Sequence, residues 1–451
     1  MRGFIPPATN VAAQPALSIA KGHSATKVAA RHRRLKSRPR CNPALVLSLI
    51  SVLSVFSVLS DLAAQIAIRG ETVYTMAGAP IEDGMVLIGK DGKIERVGPA
   101  SQVRAPRGYR TLNAKVVTPG LVDAHSVVGL AGAFNVPHDQ DQLETSDPIQ
   151  PELRAVDAYN ARETLVEWLR SFGITTVHTG HGPGALISGQ TMVVKTRGNS
   201  VRDAMVDSVT MVAMNLGPNV SNNFRPKSPG TRSKGVAMVR AEFVKAQEYA
   251  TKRAKAASDT TKTVERDLGL EVMVRVLKRE IPALITAQQV PEILAALRLQ
   301  QEFGFRLVLD GAAESYLLLD EIKTAGVPVI VHPTMVRPGG TTKNASLETA
   351  SRLQKAGIPF ALQSGFEGYV PKTRVVLLEA AMAAANGLSR EEALASITID
   401  AARLIGQEKR VGSLETGKDG DVALFDGDPF EYTSHACMVV IQGEVVSEKC
   451  R

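Results

Sequence analysis

Between residues 119 and 406 short apolar runs alternate with stretches of helical periodicity, and this alternation constrains the fold of the 451-residue chain more than any other feature. The apolar runs are Ile174–His178, Val209–Met214, Ala283–Thr286, Leu307–Asp310, Pro328–His332 and Pro359–Gln363, and helical spacing is clearest over Val239–Lys255, Pro291–Phe303 and Thr373–Asn386. Alternating strand and helix predicts an α/β fold assembled from βα units. The expected form is a TIM-type (β/α)8 barrel over 119–406, with functional residues at the C-terminal ends of its strands. Asn219 to Gly235, rich in Asn, Pro, Ser and Lys, reads as a long exposed loop. Both flanks have a different character. Ala67–Tyr74, Met85–Gly89 and Lys93–Gly98 are β-rich runs separated by Glu82-Asp83-Gly84 and Lys90-Asp91-Gly92 turns, and residues 417–446 repeat the pattern. Two β-rich ends around an α/β middle predict one discontinuous β-sandwich domain, built from 65–118 and 407–451.

The two regions meet at Val117-Thr118-Pro119-Gly120-Leu121-Val122-Asp123-Ala124-His125-Ser126-Val127, where an apolar run closes on a Pro-Gly corner and re-enters as a short strand. Side chains at i, i+2 and i+4 of a strand share a face. Asp123, His125 and Val127 are therefore expected to point the same way, in the geometry of a first-strand metal site.

This segment resembles the opening barrel strand of the amidohydrolase superfamily, especially its exported imidazolonepropionase-like branch, in which P-G-[LI]-[IV]-D-x-H-x-H supplies two histidines to a catalytic divalent metal. Gly412-Ser413-Leu414-Glu415-Thr416-Gly417-Lys418-Asp419-Gly420-Asp421 resembles the G-S-L-E-x-G-K-x-x-D signature of the family's accessory domain. Gly182 to Gln190 is similar to the P-G-S-A-N-x-x-G-G-Q segment of the exported branch. The resemblance spans roughly residues 66 to 450 and implies a metal-assisted hydrolase of C–N bonds other than peptide bonds. Such chemistry needs a Lewis acid held by His and carboxylate ligands and a base for the attacking water.

Matched to the family's pattern, the ligand set is largely replaced. His125 stands at the first histidine and Val127 at the second; Thr286 and Gln288 stand at the two positions of a later H-A-H; Gly311 stands at a further histidine, and Gly365 at the final-strand aspartate. None of the substitutes offers a strong ligand atom for zinc or iron. The resemblance thus implies a degenerate site with no resident metal. An alternative site would draw on His125, His178 and His332, with Asp123, Asp310 and Glu367 as carboxylate contributors, and would take zinc or iron. His178 and His181 end the second strand run, and His332 ends a late one. His138 lies on an acidic loop and reads as solvated; Lys195 reads as a surface or loop ion pair rather than a bridging ligand.

Charge excludes one class of function. The chain has 53 Lys and Arg against 45 Asp and Glu, but residues 1–64 hold nine of the bases and a single acid, so the remainder is neutral. A neutral body gives no electrostatic footprint for nucleic acid. The same leader carries a basic cluster from Arg31 to Arg40, an apolar run from Ala44 to Leu59 and the small-residue sequence Leu62-Ala63-Ala64-Gln65. That order predicts an export signal over 1–64, cleaved after Ala64, with a signal anchor as the alternative. The mature chain is then periplasmic or extracellular, with no membrane span. Cys41 leaves with the leader, and Cys437 and Cys450 flank a hairpin. A Gly443-Glu444 turn would set them face to face for a disulfide, whereas a Gln442-Gly443 turn would pair 437 with 448. Three functional classes follow: a non-catalytic member binding a small molecule or an active paralogue, a C–N hydrolase with a rearranged site, and a metal-free enzyme of another type. Oligomerisation is compatible with each.

Overall fold

The structure is a computed structural model that describes residues 65–134, 136–258, 263–334, 338–365 and 375–450. The leader expected over 1–64, Cys41 and Glu367 lie outside the described residues. Four strands open the described chain: β1 (Ile66–Val73), β2 (Ile81–Ile88), β3 (Ile94–Pro99) and β4 (Arg110–Pro119). Chain order continues through β5 (Leu121–Ser126), β6 (Ile174–Thr179), β7 (Ile187–Gln190), β8 (Met192–Lys195), β9 (Met205–Asp207) and β10 (Val212–Asn215). β11 (Ala283–Ala287), β12 (Leu307–Gly311), β13 (Val329–Val331) and β14 (Phe360–Leu362) follow, and β15 (Val422–Phe425), β16 (Ala436–Ile441) and β17 (Glu444–Ser447) close the chain.

The two β-rich ends share one seven-stranded sheet in the order β17-β16-β15-β4-β1-β2-β3. β4 lies between β1, parallel to it, and β15, antiparallel to it. One face buries Ile66, Ile68, Val86, Ile88, Val117, Val422, Leu424 and Val440 together, and the alternate positions Ala67, Met85 and Leu87 are buried with Val103. The β16–β17 turn is Gln442-Gly443, since Ile441 pairs with Glu444. Both turn residues have positive φ, +50° and +76°, as a type I′ turn requires. Counted evenly, that register would set Cys437 opposite Glu448. A register shift at Val439/Val440 inserts one residue into β17, and Cys437 bonds Cys450. The disulfide is therefore made on the turn that an even count had assigned to the other pairing.

From Pro119 the chain steps straight out of this sheet. Gly120 occupies the corner because a Cβ there would collide with the Thr175 side chain at the start of β6. Two further sheets follow, one with the order β14-β13-β12-β11-β10-β7 and one with the order β5-β6-β8-β9. β10 to β14 are parallel, as βα units require. β7 runs antiparallel to β10 and β8 antiparallel to β6, so residues 187–195 form a reversed segment between them. This departs from the all-parallel expectation. At its midpoint the Thr191 N–H donates to Met211 O at 2.9 Å and Thr191 O accepts from the Thr210 N–H at 2.9 Å. The other edges of the two sheets touch at a bridge between Ser126 and Gly365.

Helices cover the outer face. Val290–Phe303 is typical of them: Gln289 and Glu292 form a capping box, proline sits in the first turn, and Gly304 ends the helix at φ +73°. Its Ile293, Ala296 and Leu299 pack in the same cluster as Ala283, Ile285, Leu307 and Leu309 of the strands beneath. The segment expected as a loop from Asn219 to Gly235 contains the helix Asn219–Asn223 and the first turn of Arg232–Ala257, and it buries Val220 and Phe224. No helix among the described residues is long and apolar enough to cross a membrane.

Candidate functional site

The opposite face of the parallel strands builds the site by period-2 spacing. Leu284, Val308, Ile330 and Ala361 form a buried layer with Val122, Ala124, Val193 and Met211 of the other strands. Two residues further along the same strands stand Thr286, Asp310, His332 and Gln363, which are on the same face. The polar set is thus a second layer stacked on the apolar one, at the C-terminal ends of β11 to β14.

Asp310 is its centre. It accepts from Thr286 Oγ1 (2.5 Å) and Gln363 Nε2 (3.0 Å), and lies 2.9 Å from His125 Nδ1. His125 comes from β5, beside β6's His178, with ring centroids 5.5 Å apart. His178 Nδ1 is 2.7 Å from Ala124 O and Nε2 is 2.6 Å from Thr191 Oγ1. A carbonyl can only accept, so Nδ1 carries the proton and Nε2 receives the threonine hydroxyl. Burial, reinforced by nearby His125, lowers the His178 pKa to about 3 and keeps this tautomer neutral. The imidazole's single lone pair is therefore committed to Thr191.

Asp123 leaves this network. A register shift in β5 between Asp123 and Ser126 breaks simple alternation, and Asp123 accepts from the Ser364 hydroxyl and, at 3.1 Å, from the Ser364 N–H. Burial raises its pKa to about 6 against those hydrogen bonds. The expectation that Asp123, His125 and Val127 act from one face gives way to two separate destinations, Ser364 and Asp310, with Val127 buried.

Both glycines at expected ligand positions are structurally occupied. Gly311 has φ +75°, and a Cβ there would overlap Gln288 Nε2; Gly365 has φ +82°, and a Cβ there would overlap Pro333 Cγ. Gln288 is fixed by accepting from the Ala313 N–H at 3.1 Å. The divalent metal implied by the sequence resemblance can be tested against these donors. Among the described residues, the one group of three His, Cys, Asp or Glu donors within 4.8 Å of each other is Asp426, Cys437 and Cys450, and its two sulfurs are bonded together. His125, His178 and His332 do not form such a group. The described residues do not fit a catalytic divalent ion.

A cavity of about 290 Å³ opens over the strand ends, bordered by Asn215, Thr286, Gln288, Gly311, His332 and Gln363. Larger hollows are lined by other residues, one of about 530 Å³ around Arg69, Asp426 and Cys437 of the seven-stranded sheet. The cavity at the strand ends meets the polar layer at Thr286, His332 and Gln363. His332 is 2% exposed with no partner at Nδ1, and burial lowers its pKa to about 4. His181 is buried with neither ring nitrogen partnered, its pKa also lowered to about 4 by burial. His138 is exposed.

Sequence reasoning missed two groups. Thr191 sits in a glycine-bordered stretch with no local sign that its hydroxyl closes on His178. Lys195 is not on the surface: it is 2% exposed, ion-paired to Asp421 and 3.3 Å from Asp419. Apolar Val193 beside Lys195 in a four-residue strand was the available signal.

The sequence profile of the amidohydrolase family matches residues 138–447. Imidazolonepropionase of Rhizorhabdus wittichii is 25% identical over 389 residues, covering 79% of this chain and 92% of that protein. Amidohydrolase tasK of Hapsidospora irregularis is 23% identical over 80% of this chain but only 39% of its own length. A crystal structure of an amidohydrolase from Thermotoga maritima superposes with a TM-score of 0.81 at 30% identity, covering 85% of this chain and all of that one. The profile match, the full-length relatives and that superposition together place the chain in the amidohydrolase superfamily, in its imidazolonepropionase-like branch.

Proposed function

We propose that this chain is a non-catalytic amidohydrolase-superfamily protein that uses the retained cavity to bind a small molecule, with His125 and His178 serving as hydrogen-bonded architecture. The observation that carries this reading is His178, whose only lone pair receives the Thr191 hydroxyl at 2.6 Å. The filled spaces at Gly311 and Gly365 support it. On this reading β5, β6, the reversed segment 187–195 and β10 to β14 make an eight-stranded barrel joined at the Ser126–Gly365 bridge, with the seven-stranded sheet as its accessory domain. Residues 1–64 direct export, so secreted protein should begin at Gln65 by intact mass.

A second reading, a hydrolase of non-peptide C–N bonds with a rearranged site, draws on the His125–Asp310 contact at 2.9 Å. Elemental analysis of protein purified without chelators separates the two. The first reading expects zinc and iron well below one equivalent and no turnover of imidazolonepropionate after zinc is added. About one tightly bound zinc or iron per chain would overturn it.

A further inference from the structure

The cavity's polar groups are not interchangeable, because protein partners fix the orientation of each amide. Asn215 Oδ1 accepts from the Gly217 N–H at 2.7 Å, which leaves Asn215 Nδ2 as the atom available to the cavity. Gln288 Oε1 accepts from Ala313, which leaves Gln288 Nε2 over Gly311. Gln363 is oriented the opposite way. Its Nε2 donates to Asp310 Oδ1 and Ile330 O, and its Oε1 is buried with no partner. His332 Nδ1 is likewise buried and unpartnered. The residues that carry these two donors, one acceptor and one imidazole nitrogen therefore line a single cavity, and no Lys, Arg, Asp or Glu lines it among the described residues.

Buried polar atoms without partners cost stability unless something satisfies them. We propose that the cavity is a metal-free recognition site for a small uncharged amide, whose carbonyl accepts from Asn215 and Gln288 and whose N–H donates to Gln363 Oε1, with His332 Nδ1 closing the set. This rests on the preceding reading of the site as non-catalytic and names its ligand class. An anion is disfavoured because no described residue of the lining carries a compensating charge: Asp310, in the same polar layer, has the same sign, and burial holds His332 neutral at physiological pH. A volume of about 290 Å³ lies at the small end of ligand pockets, suiting a compact molecule.

The test uses three probes on one carbon skeleton: succinamide, succinamate and succinate. Saturation-transfer NMR and calorimetry on the full protein should show saturable binding of succinamide, weaker binding of succinamate and none of succinate. His332→Phe removes the ring nitrogen in nearly the same shape. Asn215→Asp keeps the acceptor for Gly217 but replaces the donor with a carboxylate. Each should weaken succinamide binding on the order of tenfold with an unchanged circular-dichroism spectrum; if one variant fails to fold, the other decides. No saturable binding of succinamide, binding of succinate as tight as the diamide, or unchanged affinity in every folded variant would overturn the proposal. Ammonia release from succinamide by zinc-loaded protein is read separately, and would sink the non-catalytic reading while leaving the binding result to stand.

Discussion

If Gln288 fills the space that a side chain at 311 would need, the two positions must be energetically coupled. Gly311→Ala forces a residue with a Cβ into φ +75° and against Gln288 Nε2. The left-handed backbone costs about 1–2 kcal/mol. Displacing Gln288 breaks its hydrogen bond to the Ala313 N–H, 3.1 Å long, for about 1 kcal/mol more. The expected total is about 2–3 kcal/mol. With Gln288→Ala already present the collision is gone and the bond already lost, so the glycine substitution should cost only the backbone part. A double-mutant cycle by urea denaturation, read by circular dichroism, should therefore show the double variant about 1 kcal/mol more stable than the sum of the singles. Additive singles, or a Gly311→Ala protein as stable as the parent, would refute the argument that this position is occupied. By the same logic Gly311→His alone should not recover zinc binding.

Lys195→Met should destabilise by about 3–5 kcal/mol, because it leaves the buried Asp421 and Asp419 without their shared cation. Adding Asp421→Leu should restore part of the loss, and a single variant indistinguishable from the parent in urea melts would show the pair to be idle. Stability should also fall on acidification from about pH 6.5 to pH 4. His178, His181 and His332 stay neutral in the fold, with values lowered to about 3, 4 and 4, and bind protons only on unfolding. Asp123, raised to about 6, opposes them by holding its proton in the fold down from that pH. Three protons favour the unfolded chain and one the folded chain, a net of about two, or roughly 2–3 kcal/mol per pH unit near pH 5. Urea midpoints that stay level between pH 7 and pH 5 would contradict this.

The parallel strands were legible because Ala283–Ala287, Leu307–Gly311 and Val329–Val331 are mostly apolar runs, whereas the shared face of Thr286, Asp310, His332 and Gln363 emerged only once the strands were set side by side. The positions of Gly311 and Gly365 were readable by resemblance, but what fills them was not: Gln288 and Pro333 reach those spaces through strand ends that sequence alone does not set. Residues 187–195 escaped notice as strand because glycines border them and a lysine ends them, and a buried lysine is intelligible only beside Asp419 and Asp421, more than two hundred residues away. The even count of β-hairpin registers failed at Cys450 for a similar reason: an extra residue in β17 moves the position opposite Cys437 from 448 to 449, and the bond is made by the next residue along. Asp123 and His125 parted company because the strand that holds them is irregular, which alternation cannot foresee.

The reversed segment between β6 and β10 joins two concerns. Thr191 near its centre holds His178 in the polar layer, and Lys195 at its end is anchored in the carboxylates of the carboxy-terminal signature. One rod of nine residues thus links the floor of the cavity to the sheet made from the chain's two extremities. Cutting away either flank of the seven-stranded sheet would loosen the far end of that rod, so the trimmed protein would lose the tautomer of His178 along with the sheet.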